Sequence, residues 1–212
     1  MSGGLEHPWE LEEEAFALGF SAVCGADEAG AGPLAGPVYA AAVILPPGTI
    51  LNGLNDSKKL SAKVRDVLFD RICAAARSYA VAWASVEEIE KLDILNARML
   101  AMSRAVDALD IRPDMVLIDG NRDCGSRCRV TELPHRTVVG GDGRSASIAA
   151  ASVLAKVSRD RYVCQVLDRE YPHYQFAKHK GYGTKLHYEM LDRYGPCPAH
   201  RLSFLKKWEN LR

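Results

Sequence analysis

The chain has 212 residues, of which 48% are hydrophobic and 25% charged, and its 27 Lys and Arg balance 27 Asp and Glu. That is enough chain for one good-sized domain with an ordinary core, and it excludes a disordered segment or a protein that coats nucleic acid by bulk charge. No apolar run reaches the length of a membrane span and the first residues are acidic, so neither a membrane segment nor a signal peptide is expected and a cytoplasmic location is.

Six cysteines lie scattered among apolar runs and loops, the usage of reduced intracellular thiols. Cys124 and Cys128 form a lone C-x3-C, which reads as a surface loop and not as a zinc site. Charge is unevenly spread. Residues 1–30 hold seven acids and no Lys or Arg, whereas residues 171–212 hold eight bases against three acids. Such a section suits a local polyanion-binding face, or equally a solvated surface.

In chain order, residues 8–18 predict a short helix with Trp9, Leu11, Ala15 and Leu18 on its apolar stripe. Two apolar runs, Ala22–Ala26 and Val38–Leu45, have strand length and composition. Between them Gly30, Gly32, Pro33, Gly36 and Pro37 break both helix and sheet. Asp27 and Glu28 stand just before this turn. Adjacent side chains on a strand point to opposite faces, so two ligands for one site predict a bend in the backbone there. Without a cation, one partly desolvated carboxylate of such a pair must protonate. A solvated acidic turn is the commoner fate of Asp-Glu. The glycine-rich loop that follows favours a site, because its bare amides can approach a sugar–phosphate backbone.

Pro46-Pro47-Gly48 ends the second strand, and residues 55–60 form a polar loop. Ser61 is a fitting N-cap for a helix to about Arg77, with Val64, Leu68, Ile72, Ala75 and Ala76 on one face. Residues 79–86 alternate as a strand. Residues 94–109 predict a helix whose Leu95, Met99, Met102, Val106 and Leu109 form a core stripe. A short buried strand, residues 115–118, then runs into Asp119-Gly120-Asn121. The C-terminal end of a core strand is the usual address of an active-site residue in an α/β sheet, although an Asp opening a turn competes. Residues 122–135 are loop or irregular hairpin. Residues 137–139 are strand-like and lead through Gly140–Gly143 to a long helix from Ser147, whose small residues allow it to lie close to the sheet. Asp142 falls near that helix N-terminus, where a carboxylate is favoured for capping as well as for chemistry. After Tyr171, aromatics, imidazoles and bases mix, and no internal repeat appears.

Asp27, Glu28, Asp119 and Asp142 thus follow strands or open a helix. Hard oxygen donors without a His or Cys cluster favour Mg²⁺ or Mn²⁺ over Zn²⁺, and carboxylates around two such ions suit phosphodiester cleavage. Neither a phosphate-binding G-x-x-x-x-G-K-[ST] loop nor a G-x-S-x-G elbow occurs. The residues alone carry the reading as far as an α/β protein with a divalent-metal site acting on phosphate.

DEAGAGPLAGPV at 27–38, NDSKKL at 55–60, VLIDGN at 116–121, GGDGRSASIAAASVLAKVSRD at 140–160 and HKGYGT at 179–184 resemble ribonuclease HII, the bacterial type 2 ribonuclease H, in that family's order. The resemblance runs from about residue 20 to HRLSF at 200–204. It implies an α/β ribonuclease H-like fold, with a mixed central sheet flanked by helices. Residues 1–170 would form the catalytic core, and residues 171–212 a helical substrate-binding part packed on it. It further implies that Asp27, Glu28, Asp119 and Asp142 bind two Mg²⁺ or Mn²⁺ ions. The expected reaction is cleavage 5′ to a ribonucleotide in an RNA/DNA hybrid or in duplex DNA, leaving a 5′-phosphate and a 3′-hydroxyl. The 2′-hydroxyl separates the two sugars, and the family reads it through backbone groups of the turn, here Gly30, Ala31 and Gly32. Tyr182 matches the tyrosine that stacks on the neighbouring deoxyribose. Lys58, Lys59, Lys180 and Arg201 are expected to contact phosphates, with salt-sensitive affinity. A monomer is expected, with no membrane partner. A hybrid-binding protein with little catalysis is the alternative, as is the related ribonuclease HIII, whose family carries an added N-terminal domain.

One position departs from the family. Its turn reads G-R-G, and here it is Gly30-Ala31-Gly32. Alanine keeps the backbone groups and lacks a guanidinium able to hold a phosphate through paired, charge-assisted bonds, so weakened substrate binding with an intact metal site is expected. The Cys124–Cys128 segment between Asp119 and Asp142 has the look of a loop insertion.

Overall fold

The computed structural model describes residues 7–209. After a short helix α1 (Glu10–Ala17), the chain enters strands β1 (Val23–Ala29) and β2 (Val38–Ile44), which pair antiparallel. Helix α2 (Ala62–Ala75) leads to strand β3 (Ser78–Ala84), antiparallel to β2. Helices α3 (Val86–Leu92) and α4 (Ile94–Asp107) follow, then β4 (Met115–Asp119), parallel to β1, and β5 (His135–Val138), parallel to β4. The sheet order is β3-β2-β1-β4-β5, which puts β1 in the middle. Helix α5 (Ala146–Tyr162) continues through a widened π turn, Val163–Leu167, into α6 (Asp168–Glu170). Three further helices complete the described chain: α7 (Phe176–His179), α8 (Lys185–Tyr194) and α9 (Leu202–Glu209).

Alternation along the strands sorts the core into two layers. On one face Ala26, Ala40 and Ala42 pack with Met99, Met102 and Val106 of α4. On the other, Ala41 and Val43 meet the small-residue face of α5, and Leu68 and Ile72 bring α2 against it. A third cluster, with Leu34, Ala35, Val163, Phe176, Leu191 and Leu205, joins the turn after β1 to the last helices.

Three local expectations need correction. The backbone does not bend at Asp27 and Glu28: β1 runs straight through both, in register with Ala41 and Ala40. The bend comes at Gly30, whose φ of +94° lies in the left-handed region that favours glycine. Leu18, the residue after α1, and Val64, in the first turn of α2, are exposed and so do not belong to the buried face of either helix. The strand read as far as Val86 ends at Ala84, since Ser85 caps α3. Its hydroxyl accepts from the Glu88 amide, and the Glu88 carboxylate accepts from the Ser85 amide.

Candidate active site

Parallel pairing of β1 and β4 sets Asp27 and Asp119 at the ends of adjacent strands, on the face that α5 covers. Glu28 alternates to the other face, where Arg98 of α4 holds its Oε1 at 3.2 Å. Asp142 lies in a single 3₁₀ turn, residues 141–143, just before α5. The Gly141 amide donates to Asp119 Oδ1 at 2.8 Å, which ties that turn to the end of β4. The Ser145 hydroxyl caps α5, accepting from the Ile148 amide at 3.0 Å. Asp142 therefore does not serve as the helix cap, and its carboxyl group is left for the site.

The four acids are within electrostatic reach of one another. Burial first, then Glu28, Asp119 and Asp142, push the Asp27 carboxyl well above the usual carboxylate range. Burial raises Glu28 as well; Arg98 opposes this and Asp119 adds to it. Asp142 is pushed up to about 6 by burial, by Asp56 and by Asp119. Among the described residues no three carboxylate, imidazole or thiol side chains are gathered into a closed metal-binding cluster. The donor set nonetheless fits a hard divalent cation. Every donor is a carboxylate oxygen, the charges repel without a counter-ion, and Glu28 Oε2 is buried with no hydrogen-bond partner.

Two residues at this site were not singled out from the sequence. Asp56 hydrogen-bonds the Asp142 carboxyl group and adds to its upward shift. Its presence in the NDSKKL block was the available signal. Arg98 sits in a helix whose periodicity spoke only of core, and nothing in the sequence marks it as the partner of Glu28. Lys58 and Lys59 are exposed. Burial alone would lower Lys58, but Asp27, Asp56, Asp142 and Asp119 outweigh it and hold the ammonium above its usual range.

Arg201 corrects the phosphate-contact expectation, whereas Lys180 is half-buried with its ammonium partly engaged within the protein. Lys180 Nζ is engaged by Cys164 Sγ at 2.7 Å and by the Ala177 carbonyl. Arg201 is 0% exposed and donates only to backbone carbonyls of the turn after β1. Within that turn Ala31 is half-buried and Gly32 exposed.

Tyr182 is 41% exposed, with the Lys156 ammonium 5.6 Å and the Arg159 guanidinium 5.8 Å from its ring. Three buried imidazoles hold its loop, and their partners fix each proton. The Tyr182 carbonyl can only accept, so His187 donates from Nδ1 at 3.0 Å and its Nε2 accepts from His200 Nε2, also at 3.0 Å. His200 Nδ1 accepts from the Cys197 amide at 2.9 Å. His179 donates from Nε2 to the Tyr174 carbonyl and accepts the Gly181 amide at Nδ1. All three rings are neutral in this network, and an added proton leaves two donors facing each other. Burial pushes His179 down, and His187 and His200 down to about 4.

Because these pKa values are depressed below the unfolded value of 6.5, the unfolded chain binds more protons in this window. The histidines' contribution is whole above pH 6.5 and is lost as pH falls toward about 4. Ring-carbon NMR titration should show no protonation of His187 or His200 above about pH 5. Amide protection in residues 176–187 should fall with acidification. A ring titrating at its ordinary value would contradict the network.

The model of the family described as Ribonuclease HII matches residues 24–207. The chain belongs to the ribonuclease HII family. Ribonuclease HII of Caldicellulosiruptor bescii is 47% identical over 206 residues, covering 95% of each chain. Ribonuclease HII 1 of Methylibium petroleiphilum is 56% identical over 182 residues, covering 85% of this chain and 88% of that one. Ribonuclease HII enzymes are divalent-metal-dependent endonucleases acting on RNA/DNA hybrids, and this chain is such a hydrolase.

The fold agrees with that of ribonuclease H2 from Pyrococcus horikoshii OT3, with a TM-score of 0.73 at 24% identity, covering 90% of this chain and 98% of that chain. RNase HII of Archaeoglobus fulgidus, solved as a complex with PCNA, gives 0.72 at 24% identity, covering 86% and 94%. Bst-RNase HIII, solved with Mn²⁺, gives 0.62 at 19% identity, and only 63% of that chain is covered. Among the described residues no helix is long and apolar enough to cross a membrane.

Proposed function

We propose that this ribonuclease HII cuts the phosphodiester bond 5′ to a ribonucleotide, in RNA/DNA hybrids and in duplex DNA with embedded ribonucleotides, leaving a 5′-phosphate and a 3′-hydroxyl. The observation that carries this reading is the set of four carboxylates at one end of the sheet, beside a glycine-rich turn, with Asp27, Glu28 and Asp142 raised by burial and by neighbouring acids. Asp27, Glu28, Asp119 and Asp142 are the residues that would hold two Mg²⁺ or Mn²⁺ ions. Bound there, the ions supply activation of the attacking water and stabilisation of the departing 3′ oxygen. The chain's own part is placement. Asp27 and Asp119 project from neighbouring strand ends, and Arg98 holds Glu28 on the far side of β1. The Gly141–Asp119 bond fixes the turn that carries Asp142. Lys58 sets a positive charge beside the acids, where a phosphate would approach.

In this reading the turn at Gly30, Ala31 and Gly32 recognises the ribose, and Tyr182 stacks on the sugar across the RNA–DNA junction. Residues 1–170 act as the catalytic core and 171–212 as the substrate-binding part of a cytoplasmic monomer. The test is a duplex with one ribonucleotide, incubated with Mg²⁺, Mn²⁺ or EDTA, beside an all-DNA control. A metal-dependent cut on the 5′ side is expected. Tight binding without a cut would instead favour a hybrid-binding protein, the reading that the missing Arg at position 31 suggests.

Restoring that residue should strengthen the site. Ala31→Arg adds a charge-assisted contact worth about 1.5–3 kcal/mol when desolvated, or roughly ten- to hundredfold in kcat/KM. Steady-state kinetics on the same duplex would measure it. An unchanged kcat/KM would mean that the turn of this chain makes no use of a phosphate contact at position 31.

A further inference from the structure

Behind the turn at residues 30–37 lie two buried arginines without an ion-pair partner among the described residues. Arg159, on α5, and Arg201, just before α9, are both 0% exposed. Burying one unpaired cation is costly, and Arg159 depresses Arg201 further. Their donors go to one small region. Arg201 donates from Nε to the Gly36 carbonyl at 2.9 Å, from Nη1 to Ala31 at 3.0 Å and from Nη2 to Gly30 at 2.7 Å. Arg159 donates from Nε to Pro37 at 3.2 Å, from Nη2 to Ala35 at 3.1 Å and from Nη1 to Lys180 at 3.1 Å, two residues before Tyr182.

The turn's donors are treated differently from its acceptors. The Leu34 and Gly36 amides bond the Gly181 and Ala199 carbonyls, whereas those of Ala31 and Gly32 have no partner among the described residues. Gly30 completes the fit. A Cβ there would come within 2.0 Å of Arg159 Nε, so the guanidinium fills the space that any other residue would need.

We infer that Arg159 and Arg201 are positioning residues for ribose recognition. They hold the turn's carbonyls inward, leave the Ala31 and Gly32 amides as its unoccupied donors, and place two buried guanidinium charges beneath them. Amides over a positive field form an anion-binding concavity, suited to the phosphate beside the recognised sugar. In this chain, with alanine at position 31, the charge at that place comes from below. The inference rests on reading the turn as the ribose-recognition element.

The test compares the unsubstituted protein with Arg201→Lys, Arg201→Met, Arg159→Lys and Gly30→Ala. For each, kcat and KM on the single-ribonucleotide duplex are measured beside affinity for an all-DNA duplex, Mn²⁺ titration and thermal melting. The arginine variants should lose about ten- to hundredfold in ribonucleotide kcat/KM. Mn²⁺ affinity and all-DNA affinity should hold, and Lys at 201 should recover part of what Met loses. Gly30→Ala displaces the turn with both arginines in place, so it should reproduce the loss even if an arginine variant folds poorly. Lower melting temperatures with the ribonucleotide preference unchanged, in the arginine variants or in Gly30→Ala, would overturn the inference. If the unsubstituted protein itself shows no ribonucleotide preference, the functional reading fails first, and that comparison needs no variant.

Discussion

Asp27→Asn and Asp119→Asn each reduce ribonucleotide-directed cleavage by at least about 10³-fold, the equivalent of losing several kcal/mol of metal-borne charge stabilisation. The same substitutions should not weaken the fold. Asp27 is buried within reach of the charges of Glu28, Asp119 and Asp142, so an amide there removes repulsion that the metal-free protein must otherwise tolerate. Metal-free Asp27→Asn should therefore melt above the unsubstituted protein. Added Mn²⁺ should raise the melting temperature of the unsubstituted protein and leave that of the variant nearly still, because only an intact site couples binding to folding. Single-turnover cleavage and a melt with and without Mn²⁺ give both readouts. A variant that cuts at the normal rate would remove Asp27 from the catalytic set. One that melts lower without metal would mean the four charges are not crowded.

Gly25→Ala has the largest expected effect on stability. Gly25 lies in the middle of β1, under the first turn of α5. An added Cβ would come within 2.2 Å of the Ile148 nitrogen and the Ser147 carbonyl carbon, and 2.6 Å of the Ser147 oxygen. Those are backbone atoms, so no rotamer change relieves the clash. Helix α5 is also pinned at that end, because Glu12 Oε1 accepts from the Ser145 hydroxyl at 2.7 Å and from the Ser147 amide at 2.9 Å. Moving α5 outward opens the alanine-rich layer on β2; keeping it forces β1 out of register. Either costs more than about 4 kcal/mol, a large part of a domain's margin. Soluble yield and thermal melting would show it. A Gly25→Ala protein that melts within a few degrees of the parent would mean that α5 does not sit so close.

The sequence disclosed what depends on near neighbours in the chain. The strand–turn–strand around Asp27, the strand before Asp119 and the helix after Asp142 carry local periodicity and punctuation, and the structure has each. The closeness of α5 to the sheet was readable from its run of alanines. Its counterpart, the glycine beneath, was not, because which strand residue meets which helix turn is a matter of tertiary register. Arg201 misled and Glu12 went unread for a common reason. A charged residue reads as surface by default, yet Glu12 is buried against the start of α5 and Arg201 against the turn. Asp56 went unassigned because its partner, Asp142, arrives only after three intervening strands.

The long reach of Arg201 also bears on how the protein comes into being. Its bonds to Gly30 and Gly36 span 171 and 165 residues. Asp27, Glu28, Asp119 and Asp142 all leave the ribosome well before it. A nascent chain can thus carry all four acids while the turn beside them still lacks its clamp. On the proposed reading of the turn, selectivity for the sugar is completed only once Arg201 has been made.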